Sequence, residues 1–178
     1  LSSSSAKGRS LILALTLSSV PVFFAPYDDL STGIPDGWTG SVLFALFEGL
    51  AGIKDKGAAF SHAGIMPRWS SANVASAEIA LRYPCSAGYC SYRYATQQNG
   101  ITIEFTGSAE RFDVELLVPA GRSVAGARLN GDRIATNLRQ IEDSTYLVLP
   151  SVKHGAHRLE VELADKRQIG KHDKLEVI

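Results

Sequence analysis

A chain of 178 residues in which 18 lysines and arginines stand against 18 aspartates and glutamates carries no net charge, and the basic residues are scattered along it. That balance excludes a surface built to follow a phosphate backbone, so nucleic acid is not an expected partner. Ordinary apolar content at this length fits one or two globular domains with a substantial core.

Residues 1–56 read as helical or irregular. Lys7 and Arg9 precede an apolar run from Leu11 to Ala25, the layout of a secretory signal. Against that reading, the chain starts at Leu1, Pro21 interrupts the run, and Phe23 occupies a place where cleavage after Ala25 needs a small residue. The run also falls short of the ~20 apolar residues that cross a bilayer, so no membrane partner is expected. It reads instead as a buried helix or strand pair. Pro26 to Gly40 is rich in turn formers, and a helix is expected from about Ser41 to Ile53, with Thr39 or Ser41 as cap. Val42, Leu43, Phe44, Leu46, Phe47 and Leu50 cover most of its circumference, so it needs protein on all sides. Gly49 and Gly52 weaken its end and allow a close neighbour. The remaining sequence predicts too few helices to surround it, and the chain is expected to be the end of something larger or to borrow partners.

After Lys56 the period changes to two. Ala75, Ala77, Ile79, Leu81 and Tyr83 alternate with smaller or polar residues, as on a strand with one buried face. Ser91–Thr96 and Ile101–Thr106 bracket Asn99-Gly100, a hairpin signal because both residues tolerate positive φ. Phe112, Val114, Leu116 and Val118 alternate again, and Pro119-Ala120-Gly121 ends that strand. Val124–Leu129, a second hairpin turn at Asn130-Gly131, Asp132–Ile134, Thr145–Leu149 and His157–Leu163 complete the series. The count of about eight strands without helical interruption predicts a mainly β fold, an antiparallel β-sandwich over residues 57–165, preceded by a short helical segment. Residues 166–178 form a charged, peripheral tail.

Cys85 and Cys90 are separated by four residues that include Gly88. They are either free thiols at sheet positions or a disulfide across a tight turn, and a bridge would favour a secreted or periplasmic location. The histidines, His62, His154, His157 and His172, fall in different segments without a partner at a diagnostic spacing, so no metal site is expected and each reads as a surface or turn residue. Carboxylates near the apolar helix are better candidates for chemistry. Asp28, Asp29 and Asp36 lie in a loop with aromatics, and Glu48 lies within the helix. Glycoside hydrolysis needs one protonated and one ionised carboxyl, and Tyr27 and Trp38 are the kind of side chain on which sugar faces pack. The plainer alternative is that these aspartates cap turns and Glu48 makes one structural hydrogen bond.

The run from Gly40 to Trp69, with its helix ending Glu48-Gly49-Leu50-Ala51-Gly52-Ile53, then Phe60 and Ile65-Met66-Pro67-Arg68-Trp69, resembles the exit of a six-hairpin (α/α)6 toroid into its C-terminal β-sandwich. Bacterial inverting glycosidases of the α-L-rhamnosidase type have this layout. Ser86-Ala87-Gly88-Tyr89, Ser91-Tyr92, Val118-Pro119-Ala120-Gly121 and Leu129-Asn130-Gly131 fit the same picture. The resemblance implies that residues 1–56 are the end of such a barrel, that the partners are the rest of the barrel and an oligo- or polysaccharide, and that no cofactor is required. It departs from the family where the base glutamate of a Thr-Thr-x-Trp-Glu pattern is due, because Phe24-Ala25-Pro26-Tyr27-Asp28-Asp29 has no glutamate. Asp28 or Asp29 is then the candidate in its place, with the general acid further upstream, and the chain alone is not expected to turn over glycosides. Two rivals remain: a sugar-binding module with a platform of Trp69, Tyr89, Tyr92 and Tyr94, and a sandwich of purely structural role.

Overall fold

The computed structural model describes residues 9–14, 45–83 and 86–166. Twelve strands lie among these residues: β1 (Arg9–Ala14), β2 (Ile53–Asp55), β3 (His62–Ile65), β4 (Val74–Arg82), β5 (Tyr89–Gln97), β6 (Gly100–Gly107), β7 (Arg111–Leu117), β8 (Arg122–Leu129), β9 (Asp132–Arg133), β10 (Leu138–Ile141), β11 (Ser144–Lys153) and β12 (His157–Asp165). They make a seven-stranded sheet in the order β1-β4-β5-β6-β12-β8-β9 and a five-stranded sheet in the order β10-β11-β7-β3-β2. Period-two alternation leaves each sheet one apolar face, and burying both faces against one another is what holds the sandwich together.

Ala77, Ile79 and Leu81 of β4 point inward with Tyr92 and Tyr94 of β5 and Ile101, Ile103 and Phe105 of β6. Phe112, Val114 and Leu116 of β7 and Leu147 and Leu149 of β11 face them from the smaller sheet. Phe105 and Phe112 meet edge to face across the interior, with ring centroids 5.4 Å apart.

The two hairpin signals turn out differently. At Asn130-Gly131 both residues have positive φ, 54° and 92°, and join β8 to β9 in the two-residue turn that their backbone freedom favours. The first hairpin turns one residue earlier, at Gln98-Asn99, and Gly100 is already paired with Gln97 in the ladder. Gly100 is needed there because a Cβ would stand 2.9 Å from the carbonyl oxygen of Val161 on the neighbouring strand.

Four strands escaped the sequence pattern. β1 and β2 belong to the sheets although residues 1–56 read as helical or irregular, so strand pairing begins well before the expected boundary at residue 57. β3 and β10 are short, and all four residues of β10 are exposed, which erases any alternation. The sheets are also not purely antiparallel: β1 runs parallel to β4, and β3 runs parallel to β7. Of the helix expected from Ser41 to Ile53, residues 45–53 are described: Ala45–Ala51 form a π-helical stretch, and Ile53, the expected end, instead opens β2. This chain's own core buries two of its seven residues, Phe47 at 7% and Ala51 at 0% exposed, so these two do not require a ring of further helices. Leu46, Glu48 and Leu50 are half-buried. No helix among the described residues is long and apolar enough to cross a membrane.

Candidate functional site

The segment that enters the sandwich forms a hairpin, and its hydrogen bonds run beyond the strands themselves. The amide of Arg68 donates to the carbonyl of Leu50 at 3.0 Å, that of Met66 to Gly52 at 2.8 Å and that of Lys56 to His62 at 2.8 Å. Gly52 makes this approach possible: its φ is 68°, and a Cβ on it would lie 1.9 Å from the Met66 carbonyl oxygen. Trp69, at 0% exposed, then turns into the interior. Its indole nitrogen donates to the Tyr92 hydroxyl at 2.8 Å, and that hydroxyl donates to the Ala51 carbonyl at 2.6 Å. Three distant parts of the chain thus share one buried relay: the end of the π-helical stretch, the turn after β3 and the middle of β5. Burial pushes the Tyr92 phenol well above its ordinary range, so it stays a neutral donor.

The tip of the same hairpin is organised by Asp55. One carboxylate oxygen accepts from the amides of Gly57 at 3.0 Å and Phe60 at 3.1 Å, and the other accepts from the Tyr83 hydroxyl at 3.0 Å. These bonds hold Ala59 and Phe60 in the left-handed region, at φ 50° and 61°. Gly88 touches this tip, because a Cβ there would come within 2.2 Å of the Ala59 carbonyl oxygen; close approach is the reason for a glycine at this position.

Parallel pairing of β3 with β7 builds a charged cluster on the outer side of the smaller sheet. His62 lies in register with Arg111, and Gly64 with Asp113. The Asp113 carboxylate accepts from Lys56 at 2.9 Å, from His62 Nε2 at 2.8 Å and from the Ser151 amide at 3.0 Å. Burial by itself would raise the Asp113 carboxyl, but the bonds from Lys56, the Ser151 amide and His62 hold it down to about 2. His62 Nδ1 faces Arg111 Nη2 at 3.2 Å; the guanidinium can only donate, so this ring nitrogen accepts and Nε2 carries the proton. His62 thus has partners in space, Asp113 and Arg111, that lie 51 and 49 residues away, at no spacing diagnostic in sequence.

His154 Nδ1 donates to the Ala109 carbonyl at 2.8 Å. His157 packs on Phe105, ring centroids 5.2 Å apart, and contacts Asn130 and the Lys153 carbonyl. Among the described residues no group of three or more His, Cys, Asp or Glu could hold a metal ion.

Of the expected site residues, Asp28, Asp29, Tyr27 and Trp38 lie outside the described residues, as does Asp36. Cys90 carries a free, buried thiol, so a bridge from it to Cys85 is not part of this structure; Cys85 itself lies outside the described residues. The aromatic platform is not there either. Trp69, Tyr92 and Tyr94 point into the core, and Tyr89 alone of the four is exposed, at 37%. The signal against it was present in β5, where Ser91, Arg93 and Ala95 occupy the alternate face and leave the tyrosines facing inward.

No protein-family model matches the sequence, and no curated protein does. Among solved structures the chain is similar to parts of glycoside hydrolases. An α-L-rhamnosidase from Dictyoglumus thermophilum is 15% identical with a TM-score of 0.46, over 69% of this chain and 13% of that one. A β-L-arabinofuranosidase from Geobacillus stearothermophilus is 10% identical with a TM-score of 0.37, over 59% of this chain and 16% of that one. An α-L-rhamnosidase from Streptomyces avermitilis, solved with L-rhamnose, is 17% identical with a TM-score of 0.34, over 70% and 11%. The chain spans a small fraction of the length of each of these enzymes.

Proposed function

We propose that this chain is the C-terminal part of a glycoside hydrolase of the inverting toroid type, and that its sandwich supports the catalytic barrel. The observation that carries the reading is the relay from Trp69 through Tyr92 to Ala51, which ties the end of the entering helical stretch to the centre of the sandwich. A flexible linker would let two bodies move independently. Here the π-helical stretch and the strand that follows it share the core of the sandwich. In this reading the sandwich contributes rigidity, the catalytic carboxyls lie in the barrel, and Asp28 or Asp29 is the candidate that this chain adds to them.

The experiment compares the 178-residue chain with the polypeptide that includes the coding sequence upstream in the same frame, on aryl α-L-rhamnosides and β-L-arabinofuranosides. Activity is expected in the longer protein alone, and Asp28→Asn or Asp29→Asn there should lower kcat. Tyr92→Phe should lower the Tm of barrel and sandwich together. An upstream sequence without helical hairpins, or two independent melting transitions with the barrel's unaffected by Tyr92→Phe, would overturn the proposal.

A further inference from the structure

The outward face of the larger sheet carries a row of charges in strict register across four strands. Glu78 of β4 stands opposite Arg93 of β5, Arg93 opposite Glu104 of β6, and Glu104 opposite Arg158 of β12. Arg93 reaches Glu78 at 3.2 Å, and Arg158 reaches Glu104 at 2.7 Å. Three spacings of about 4.8 Å give the row a length of about 14 Å, longer than a single sugar ring. Beside it lie two shallow hollows that share Glu78, Arg93 and Glu104, one of about 440 Å³ and one of about 370 Å³. Their floors are low because the neighbouring outward positions are small: Ala95 and Thr102 in one, Ala80, Ser91 and Thr106 in the other.

Two carboxylates and two guanidiniums balance within the row, and Glu160 adds a further carboxylate on Arg158 at 2.9 Å, so the face offers no attractive field to a polyanion. What it offers instead is a sequence of alternating strong acceptors and strong donors beside a floor of methyl groups. Each hydroxyl of a sugar both donates and accepts, and neighbouring hydroxyls on a ring suit the paired oxygens of a carboxylate and the fork of a guanidinium. A pyranose also has a face of C–H groups, which suits alanine and the methyl of threonine. We infer that this face binds a neutral oligosaccharide, its rings lying over the Ala95/Thr102 and Ala80/Thr106 floors and its hydroxyls exchanged between Arg93 and Glu104. The site is distinct from the barrel support proposed above and differs from an aromatic platform in both residues and chemistry.

The test is a titration of the isotopically labelled chain with cellohexaose, xylohexaose and mannohexaose to millimolar concentration, following backbone amides by NMR, with polygalacturonate as the anionic comparison. Shifts are expected to cluster at residues 76–80, 91–95 and 102–106 for at least one hexasaccharide. Arg93→Ala combined with Glu104→Gln should weaken binding about tenfold, the loss of roughly one charge-assisted hydrogen bond. Ala95→Ile, which fills a floor with an aliphatic side chain and leaves every charge in place, should do the same without lowering Tm. Absence of shifts at these amides with all three neutral probes, binding that survives both variants, or tighter binding of polygalacturonate would overturn the inference. Such a failure would leave the effect of Tyr92→Phe on stability unchanged, so it can be told apart from failure of the supporting role.

Discussion

The hydroxyl of Tyr92 sits between the indole of Trp69 and the carbonyl of Ala51, taking a hydrogen bond from the first at 2.8 Å and giving one to the second at 2.6 Å. Removing that single oxygen orphans two buried groups at once. Tyr92→Phe is expected to destabilise by about 1–3 kcal/mol for each group left without a partner. Urea unfolding followed by Trp69 fluorescence, in a Trp38→Phe background, measures it. A loss below a few tenths of a kcal/mol would show that water replaces the hydroxyl and that the relay is not structural.

Gly52 faces two penalties when a side chain is added, a positive φ and contact with the Met66 carbonyl. Gly52→Ala should cost about 3–5 kcal/mol, combining left-handed backbone strain with overpacking. Gly121→Ala serves as the comparison. It has a positive φ, 76°, and open space around the new methyl, so only the strain remains, about 1 kcal/mol. Equal losses in thermal unfolding would refute the importance of the Gly52–Met66 contact.

Asp113 gives a pH dependence with a definite sign. Its carboxyl is lower in the folded chain, about 2, than the ordinary value of 3.8, so its stabilising contribution is complete above about 4 and is lost as pH falls towards 2. The cluster is partly open to solvent, which limits the contribution to about 1 kcal/mol. Wild type should therefore lose more stability than Asp113→Asn between pH 5 and pH 2, values chosen to bracket the titration. Parallel acid-unfolding curves for the two proteins would count against the bonds from Lys56 and His62.

Cys90 is fully buried, and burial pushes its thiol up to about 12. In a Cys85→Ser background the thiol should resist aromatic disulfide reagents at pH 8 and react once urea unfolds the chain, because the thiolate is the reactive form. Rapid labelling of the native protein would mean that β5 opens locally far more often than a central strand should.

Much of the sandwich was legible because alternation is a local property. Phe112, Val114, Leu116 and Val118 mark an inward face without any knowledge of what they touch, and all four are buried. Asn130-Gly131 was equally readable, since the turn residues carry their own backbone preference. Asn99-Gly100 misled by one residue because its glycine answers to a strand far away in sequence, at Val161, and not to the turn. The charged cluster could not be read at all. His62 and Asp113 lie 51 residues apart and meet only because two short segments happen to pair in parallel. The outward row is similar: Glu78, Arg93, Glu104 and Arg158 are unremarkable one by one, and only the register of three strand pairs lines them up.

The parallel placement of β3 beside β7 has a bearing on how the chain is made. On a ribosome, residues 62–65 emerge well ahead of β7, and until β7 and β11 have been synthesised they have only the three-residue strand β2 to pair with. The smaller sheet therefore cannot be assembled hairpin by hairpin. Its completion awaits a long-range closure, which makes the nascent polypeptide a slow folder and leaves Ile65 and Trp69 within reach of chaperones in the interval.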